Sequence, residues 1–285
     1  HTLNTIVLNN KRAMLAILVR AASQTLLTFE ENELDGKLGF IATLHTWDQK
    51  LNAHFHLHCL VAGGALSADG SCWRPCKENY LFNARAMSQV FRGKFMAHMK
   101  KACQCGQIKM AGDEFNQLKA RLYEKPWIID VREPVKNPAH VIEYLARYTH
   151  RVAIANSRIK ALDDGMVTFT FKNRKKNCTE TLTITAVEFI RRFLLHCLPS
   201  RFVRIRHYGF LANRNRSANL TAVRQLMGLP NPSEAAIAAV EVMIEKLTGI
   251  DITVCPCCRK GKMHLFREIP KGRARPPNPL AYATA

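Results

Sequence analysis

Strict alternation in the run His54-Phe55-His56-Leu57-His58 restricts this stretch to one kind of backbone. With a period of two, a β-strand sends His54, His56 and His58 to one face, neighbours roughly 7 Å apart, and Phe55 and Leu57 to the other. The Phe/Leu side then faces a core and the opposite side presents imidazoles. Two imidazoles one step apart on a rigid strand can share a metal ion, provided a neighbouring element adds an oxygen or nitrogen ligand. A histidine-rich surface strand is the plainer alternative. It suits one histidine better than three in strict alternation.

The surrounding pattern is mixed α and β. Leu38 to Thr46 and His54 to Ala62 are β-type runs separated by the polar stretch Trp47 to Ala53, which predicts an antiparallel hairpin. Helical periodicity covers Lys11 to Phe29, and Ala84 to Cys105 reads as a basic amphipathic helix. Trp127 to Val131 reads as a short strand. Asn137-Pro138 offers an N-cap and a proline at the first helical position, opening a helix through about Tyr148. Asp163-Asp164-Gly165 is a turn between strands. Two more helices are expected near Ser217 to Met227 and Ser233 to Thr248, followed by a loose Pro- and Arg-rich tail from Lys271. With 285 residues, 47% of them hydrophobic, the chain can bury a full core as one or two domains. The first residue is His1 and the following ones already read as the run-up to a helix, so the sequence is expected to begin inside a longer protein.

That helix after Asn137 carries Tyr144 and Tyr148, four residues apart and therefore one above the other. Val141, Tyr144, Leu145 and Tyr148 also follow the spacing of an ordinary buried face, so the pair alone is weak as a site. Its meaning changes if the helix packs on the sheet that carries the histidines. Paired phenols facing a metal suggest reversible cleavage of a phosphodiester through a phosphotyrosine link, because a phenolate leaves more readily than an alkoxide.

Charge points to the substrate. Lys+Arg 42 against Asp+Glu 22 gives a net charge of +20, an excess that calls for a polyanionic partner. From Phe189 to Ser233 there are eight arginines, no lysine and no acid. Within it, Arg201-Phe-Val-Arg-Ile-Arg-His-Tyr208 alternates, placing Arg204, Arg206 and Tyr208 on one face and Val203 and Ile205 on the other. A basic strand face with an aromatic suits single-stranded nucleic acid; a charge-guarded edge strand is the bland reading. The uncharged apolar stretches stop well short of the ~18 residues that a bilayer span needs. No signal peptide opens the chain and ten cysteines suggest a reducing compartment, so a cytoplasmic protein is expected.

Three blocks in this order resemble the rolling-circle transposases of the insertion sequence 91 group: Phe40-Ile-Ala-Thr-Leu-His-Thr-Trp47, His54-Phe-His-Leu-His-Cys-Leu-Val61 and Tyr144-Leu-Ala-Arg-Tyr-Thr-His-Arg-Val152. The block Arg201 to Arg214 matches the same group further downstream, so the resemblance covers roughly Leu38 to Arg216. These are two-tyrosine members of the HUH (His-hydrophobe-His) endonuclease superfamily. The resemblance implies an α+β fold with a ferredoxin- or RRM-like antiparallel sheet and flanking helices, and a bacterial, cytoplasmic setting. It implies His56 and His58 as paired ligands of Mg²⁺ or Mn²⁺, and Tyr144 and Tyr148 as nucleophiles acting on single-stranded DNA. For the third ligand Gln49 is the first choice, with Asp48, His45 and His54 open. Arg204, Arg206 and Arg214 would track phosphates and Tyr208 stack on a base. The group usually carries a cysteine-rich zinc-binding segment upstream of this core.

The expected organisation is a catalytic domain over residues 1–216 and a smaller helical, Cys-rich region over 217–285. There Cys255-Pro-Cys-Cys258 is half of a structural zinc motif: Cys255 and Cys258 would be two ligands, His264 a candidate third. Cys72, Cys76, Cys103 and Cys105 read as incidental. Two rival functions stand beside transposition. One is replication initiation or conjugative nicking by the same chemistry. The other is a non-catalytic, zinc-stabilised DNA-binding protein, which leaves the alternating histidines and paired tyrosines without a role.

Overall fold

In the computed structural model the described residues are 2–77, 81–135, 137, 140–141, 153–230, 242, 245, 249–255 and 258–263. The chain divides into two units, His1–Leu229 and Pro230–Ala285.

The first unit is organised around the hairpin of β1 (Lys37–Trp47) and β2 (Ala53–Leu66), which pair antiparallel. β3 (Trp73–Pro75) adds outside β2, and β7 (Ile205–Tyr208) outside β1, giving the order β3-β2-β1-β7. Asp48 fixes the tight connection. Its carboxylate accepts N–H bonds from Lys50 and Asn52, each at 2.8 Å, and from the Asn52 amide at 2.9 Å.

Alternation decides what each sheet face meets. Phe55 and Leu57 point with the buried Leu44 into a core lined by α1 (Thr2–Asn9), α2 (Lys11–Glu33), α3 (Ala84–Gln104) and α4 (Gly112–Tyr123). Leu38, Phe40, Cys59 and Val61 continue that layer against Leu26, Phe29 and Met87. α2 is long and apolar enough by length and composition to cross a bilayer, yet half of its apolar window is packed inside this layer. Burying alternate residues of two strands against four helices is what leaves the histidines on the other face.

On that second face the described residues pack in two places, one at each end of the hairpin. At one end Phe210 packs with Leu66, Trp73 and Val223 of α6 (Arg216–Leu226). Here Gly209, at φ 60°, brings the chain so close to β1 that a Cβ would lie 1.5 Å from the Leu38 carbonyl oxygen. At the other end Trp47 and Leu51 dock into a second antiparallel sheet, β4 (Ile159–Asp163), β5 (Met166–Asn173) and β6 (Cys178–Thr185), through Val167 and Phe169. α5 (Ala186–Leu194) follows β6 directly, with the Thr185 hydroxyl accepting the Glu188 N–H at 3.2 Å. Between the ends run the rows His45–His56 and Thr43–His58.

Several expectations hold: the hairpin, α2, α3, the Asp164-Gly165 turn and α6. The observed class is α+β, with antiparallel sheets and flanking helices. Residues 127–131 differ, being irregular rather than a strand. The Trp127 ring packs edge-on against Phe91 and Phe95 and its indole N–H donates to the Leu122 carbonyl at 3.1 Å, so the segment serves the helical layer. Of the Arg201 to Tyr208 run, only Ile205–Tyr208 pairs as a strand. The helix expected through Tyr148 falls almost wholly outside the described residues, as do most of Ser233 to Thr248 and the tail.

Candidate functional site

Three imidazoles meet on the hairpin face opposite the helices, His45 buried and His56 and His58 half-buried. His45 of β1 stands opposite His56 of β2, and His58 lies one step further along β2. One ring nitrogen from each of the three lies within 4.8 Å of the others. The ring of His45 meets those of His56 and His58 edge-on, at 5.3 and 4.9 Å between centroids. The Nε2 atoms of His56 and His58 are 3.1 Å apart. Adjacent ligands of an octahedral ion bound at about 2.1 Å stand about 3 Å apart, so this spacing already matches a shared cation. One extra residue on β2 between the His45 and Trp47 pairings breaks the register beside the cluster, a device that re-aims side chains next to sites.

The electrostatics favour neutral rings, the form that donates to a metal. Burial, reinforced by the charges of His58, His56 and Arg204, pushes the His45 pKa down to about 3. Burial likewise lowers His56 to about 4, against the opposing pull of its bond to the His54 carbonyl. His58 is lowered by burial and by Arg174. His56 Nδ1 lies 3.0 Å from the His54 carbonyl oxygen; donation there leaves its Nε2 lone pair facing His58.

The other candidate ligands have other occupations. The Asp48 carboxylate is spent on the β1–β2 turn. Gln49 leans toward the second sheet, where its Oε1 accepts the Lys172 N–H at 3.4 Å. The His54 ring is exposed and lies 4.5 Å from that of His56, at the rim. Tyr144 and Tyr148 lie outside the described residues. Cys255 and Cys258 belong to the second unit.

Comparison with known proteins supplies the family. The model of the Y2_Tnp family, described as “Putative transposase”, matches residues 39–218, which span β1 through the start of α6. The chain belongs to this transposase family. “Putative transposase y4qJ” of Sinorhizobium fredii is 40% identical over 286 residues, covering 95% of this chain and 72% of the relative. “Transposase for insertion sequence element IS801” of Pseudomonas savastanoi pv. phaseolicola is 23% identical over 261 residues, covering 87% of this chain and 61% of the relative, so the chain spans less than two thirds of that protein. The motif resemblance to rolling-circle transposases of the insertion sequence 91 group is borne out. No solved structure matches the chain.

In this transposase the arginines of the downstream block take different places. Arg204 is half-buried, its guanidinium 5.0 Å over the Trp47 ring and its Nε donating to the Leu44 carbonyl at 3.2 Å. Arg206 lies over Phe202 at 5.3 Å and donates to the Val203 carbonyl at 3.3 Å. Tyr208 pairs with Phe40 and stacks on its ring at 4.7 Å, so one face of the phenol is taken by the core. Arg214 is exposed just before α6. Period two thus operates, but Arg206 and Tyr208 share the face of Ala42 and Phe40, while Ile205 and His207 share that of Thr43 and Ile41.

Two functional candidates escaped the sequence reading. Arg174, on the β5–β6 turn, is near enough for its charge to bear on both His56 and His58. The signal was the run Lys172-Asn-Arg-Lys-Lys176 between two strands. His196, buried after α5, lies 3.3 Å from the Thr46 hydroxyl through Nδ1 and 3.1 Å from the Leu51 carbonyl through Nε2, bracing the strand end beside His45. No local pattern marked it.

Proposed function

We propose that this chain is a metal-dependent single-stranded DNA endonuclease and strand transferase that moves an insertion sequence by a rolling-circle route. The observation that carries the reading is the meeting of His45, His56 and His58 nitrogens on one face of a two-strand platform. The three imidazoles are the proposed ligands, with His45 in the third place because Gln49 is engaged elsewhere. An all-nitrogen set fits Mn²⁺ better than Mg²⁺, which prefers oxygen donors. When bound, the ion supplies Lewis-acid stabilisation of charge developing on the scissile phosphate.

The chain's own residues do the rest. A phenol of Tyr144 or Tyr148 attacks the phosphorus, forming a 5′-phosphotyrosine link and releasing a 3′-hydroxyl. Attack by a hydroxyl on that link, with the phenolate leaving, restores a phosphodiester and completes strand transfer. A second tyrosine permits a second cleavage while the first link is held. Arg174, Arg204 and Arg214 provide fixed positive charge along the approach of the strand. An HUH-type arrangement is supported by the antiparallel sheet that carries the His-hydrophobe-His strand: among the described residues β2 pairs with β1 at His56 and His58, and with β3 only at Gly64 to Leu66.

The test uses a transposon-end oligonucleotide, the protein and Mn²⁺. A denaturant-resistant protein–DNA band is expected, which disappears with chelator and in the Tyr144→Phe/Tyr148→Phe double variant. Continued cleavage by the double variant would refute the nucleophile assignment.

A further inference from the structure

The second unit contains a folded feature that the nuclease reading does not use. Cys255 and Cys258 lie between Val254 and Lys262, which are joined by an antiparallel bridge. Backbone bonds wrap the turn: Cys255 N–H to the Gly261 carbonyl at 2.7 Å, Arg259 N–H to the Cys255 carbonyl at 2.9 Å, and Met263 N–H to the Thr253 carbonyl at 2.6 Å. The Gly261 N–H donates to Cys258 Sγ at 3.3 Å, and the Lys260 N–H also faces that sulfur. Both cysteines border the same glycine: a Cβ on Gly261 would lie 3.5 Å from Cys258 Sγ and 3.8 Å from Cys255 Cβ.

This backbone carries strain. Arg259, immediately after the second cysteine, is held at φ 56°, a left-handed conformation that a side chain with a Cβ adopts at a cost. The conformation aims successive N–H groups at one sulfur atom. A neutral thiol is a weak acceptor and gains little from such donors, whereas a thiolate gains much. Arg259, Lys260 and Lys262 add three cations around the turn. Convergent N–H groups, local positive charge and two sulfurs brought together form a ready-made seat for thiolates.

We propose that Cys255 and Cys258 are a thiolate half-site for one soft divalent cation of the Zn²⁺ class, which ties the second unit together. The two cysteines supply two of the four donors of a tetrahedral shell. This centre is separate in chemistry from the imidazole cluster: thiolates select Zn²⁺ over the harder Mn²⁺.

Cobalt titration of the reduced full chain tests it. Co²⁺ should produce strong near-ultraviolet thiolate-to-metal bands that Zn²⁺ abolishes. The bands should vanish in Cys258→Ser and survive in His56→Ala/His58→Ala. Their absence from the wild type, or their persistence in Cys258→Ser, would overturn the proposal. Mass-spectrometric alkylation of the unmodified protein gives an arm that needs no variant. Zn²⁺ should slow labelling of Cys255 and Cys258 by about tenfold or more, because metal-bound thiolates are withdrawn from reaction. The exposed Cys105, Cys178 and Cys197 should label as before. Equal slowing at all five, or none, would contradict it.

Discussion

At the scale of single residues, the site depends on a few positions that tolerate little. Gly209 is one: no side chain fits where its Cβ would meet the Leu38 carbonyl at 1.5 Å. Gly209→Ala is therefore expected to cost about 3 kcal/mol or more, since β7 must move away from β1 or the turn must refold. Thermal unfolding reads this directly, and a Tm within a degree or two of wild type would refute the geometry. His196 sets a pH dependence. Burial, first among the causes, lowers its pKa below the ordinary 6.5, so the folded state binds the proton more weakly than the unfolded chain does. Its contribution is complete above about 6.5 and declines as the pH falls through that value. Nε2 donates to the Leu51 carbonyl, so protonation falls on Nδ1 and removes the lone pair that accepts the Thr46 hydroxyl. Denaturant midpoints of wild type and His196→Gln should therefore diverge most at neutral pH and converge toward pH 5. A constant gap would exclude this role.

At the scale of elements, legibility followed period. The alternation of His54 to His58 fixed a strand, its two faces and two of the three imidazoles, because one buried face specifies every side chain along it. The third ligand was open, with Gln49 preferred over Asp48, His45 and His54, since a partner strand's register is set across space by turn geometry. Asp48 and Gln49 resemble ligands in the sequence; in the fold the Asp48 carboxylate accepts the turn's N–H groups and Gln49 Oε1 accepts the Lys172 N–H of the second sheet. Trp127 to Val131 had the composition of a strand, but the Trp127 ring is committed to the aromatic cluster of α3. The β5–β6 hairpin carries a prediction of its own. Arg174 and Lys175 at its tip should contact the phosphates of the bound strand. Each phosphate contact contributes about 0.7 to the slope of log affinity against log salt for single strands, so replacing both with Ala should lower that slope by about 1.4. Fluorescence anisotropy of a labelled oligonucleotide over a salt series measures it. An unchanged slope would place the strand elsewhere.

For the whole molecule, the +20 charge and the fold divide the work. Four helices take one face of the main sheet and so supply its rigidity, while a second sheet and α6 pack at the two ends of the other. Between those ends stand the imidazoles. Transposase family membership agrees with a polycation built around such a face. The central claim is that three histidines from two strands form the metal centre of this transposase. Electron paramagnetic resonance titration of the full chain with Mn²⁺ tests it most directly. His45→Ala should weaken Mn²⁺ binding by at least the 10–100-fold typical of losing even an outer-shell partner, while Gln49→Ala should bind as wild type does. Full Mn²⁺ affinity in His45→Ala, with loss in Gln49→Ala, would contradict it.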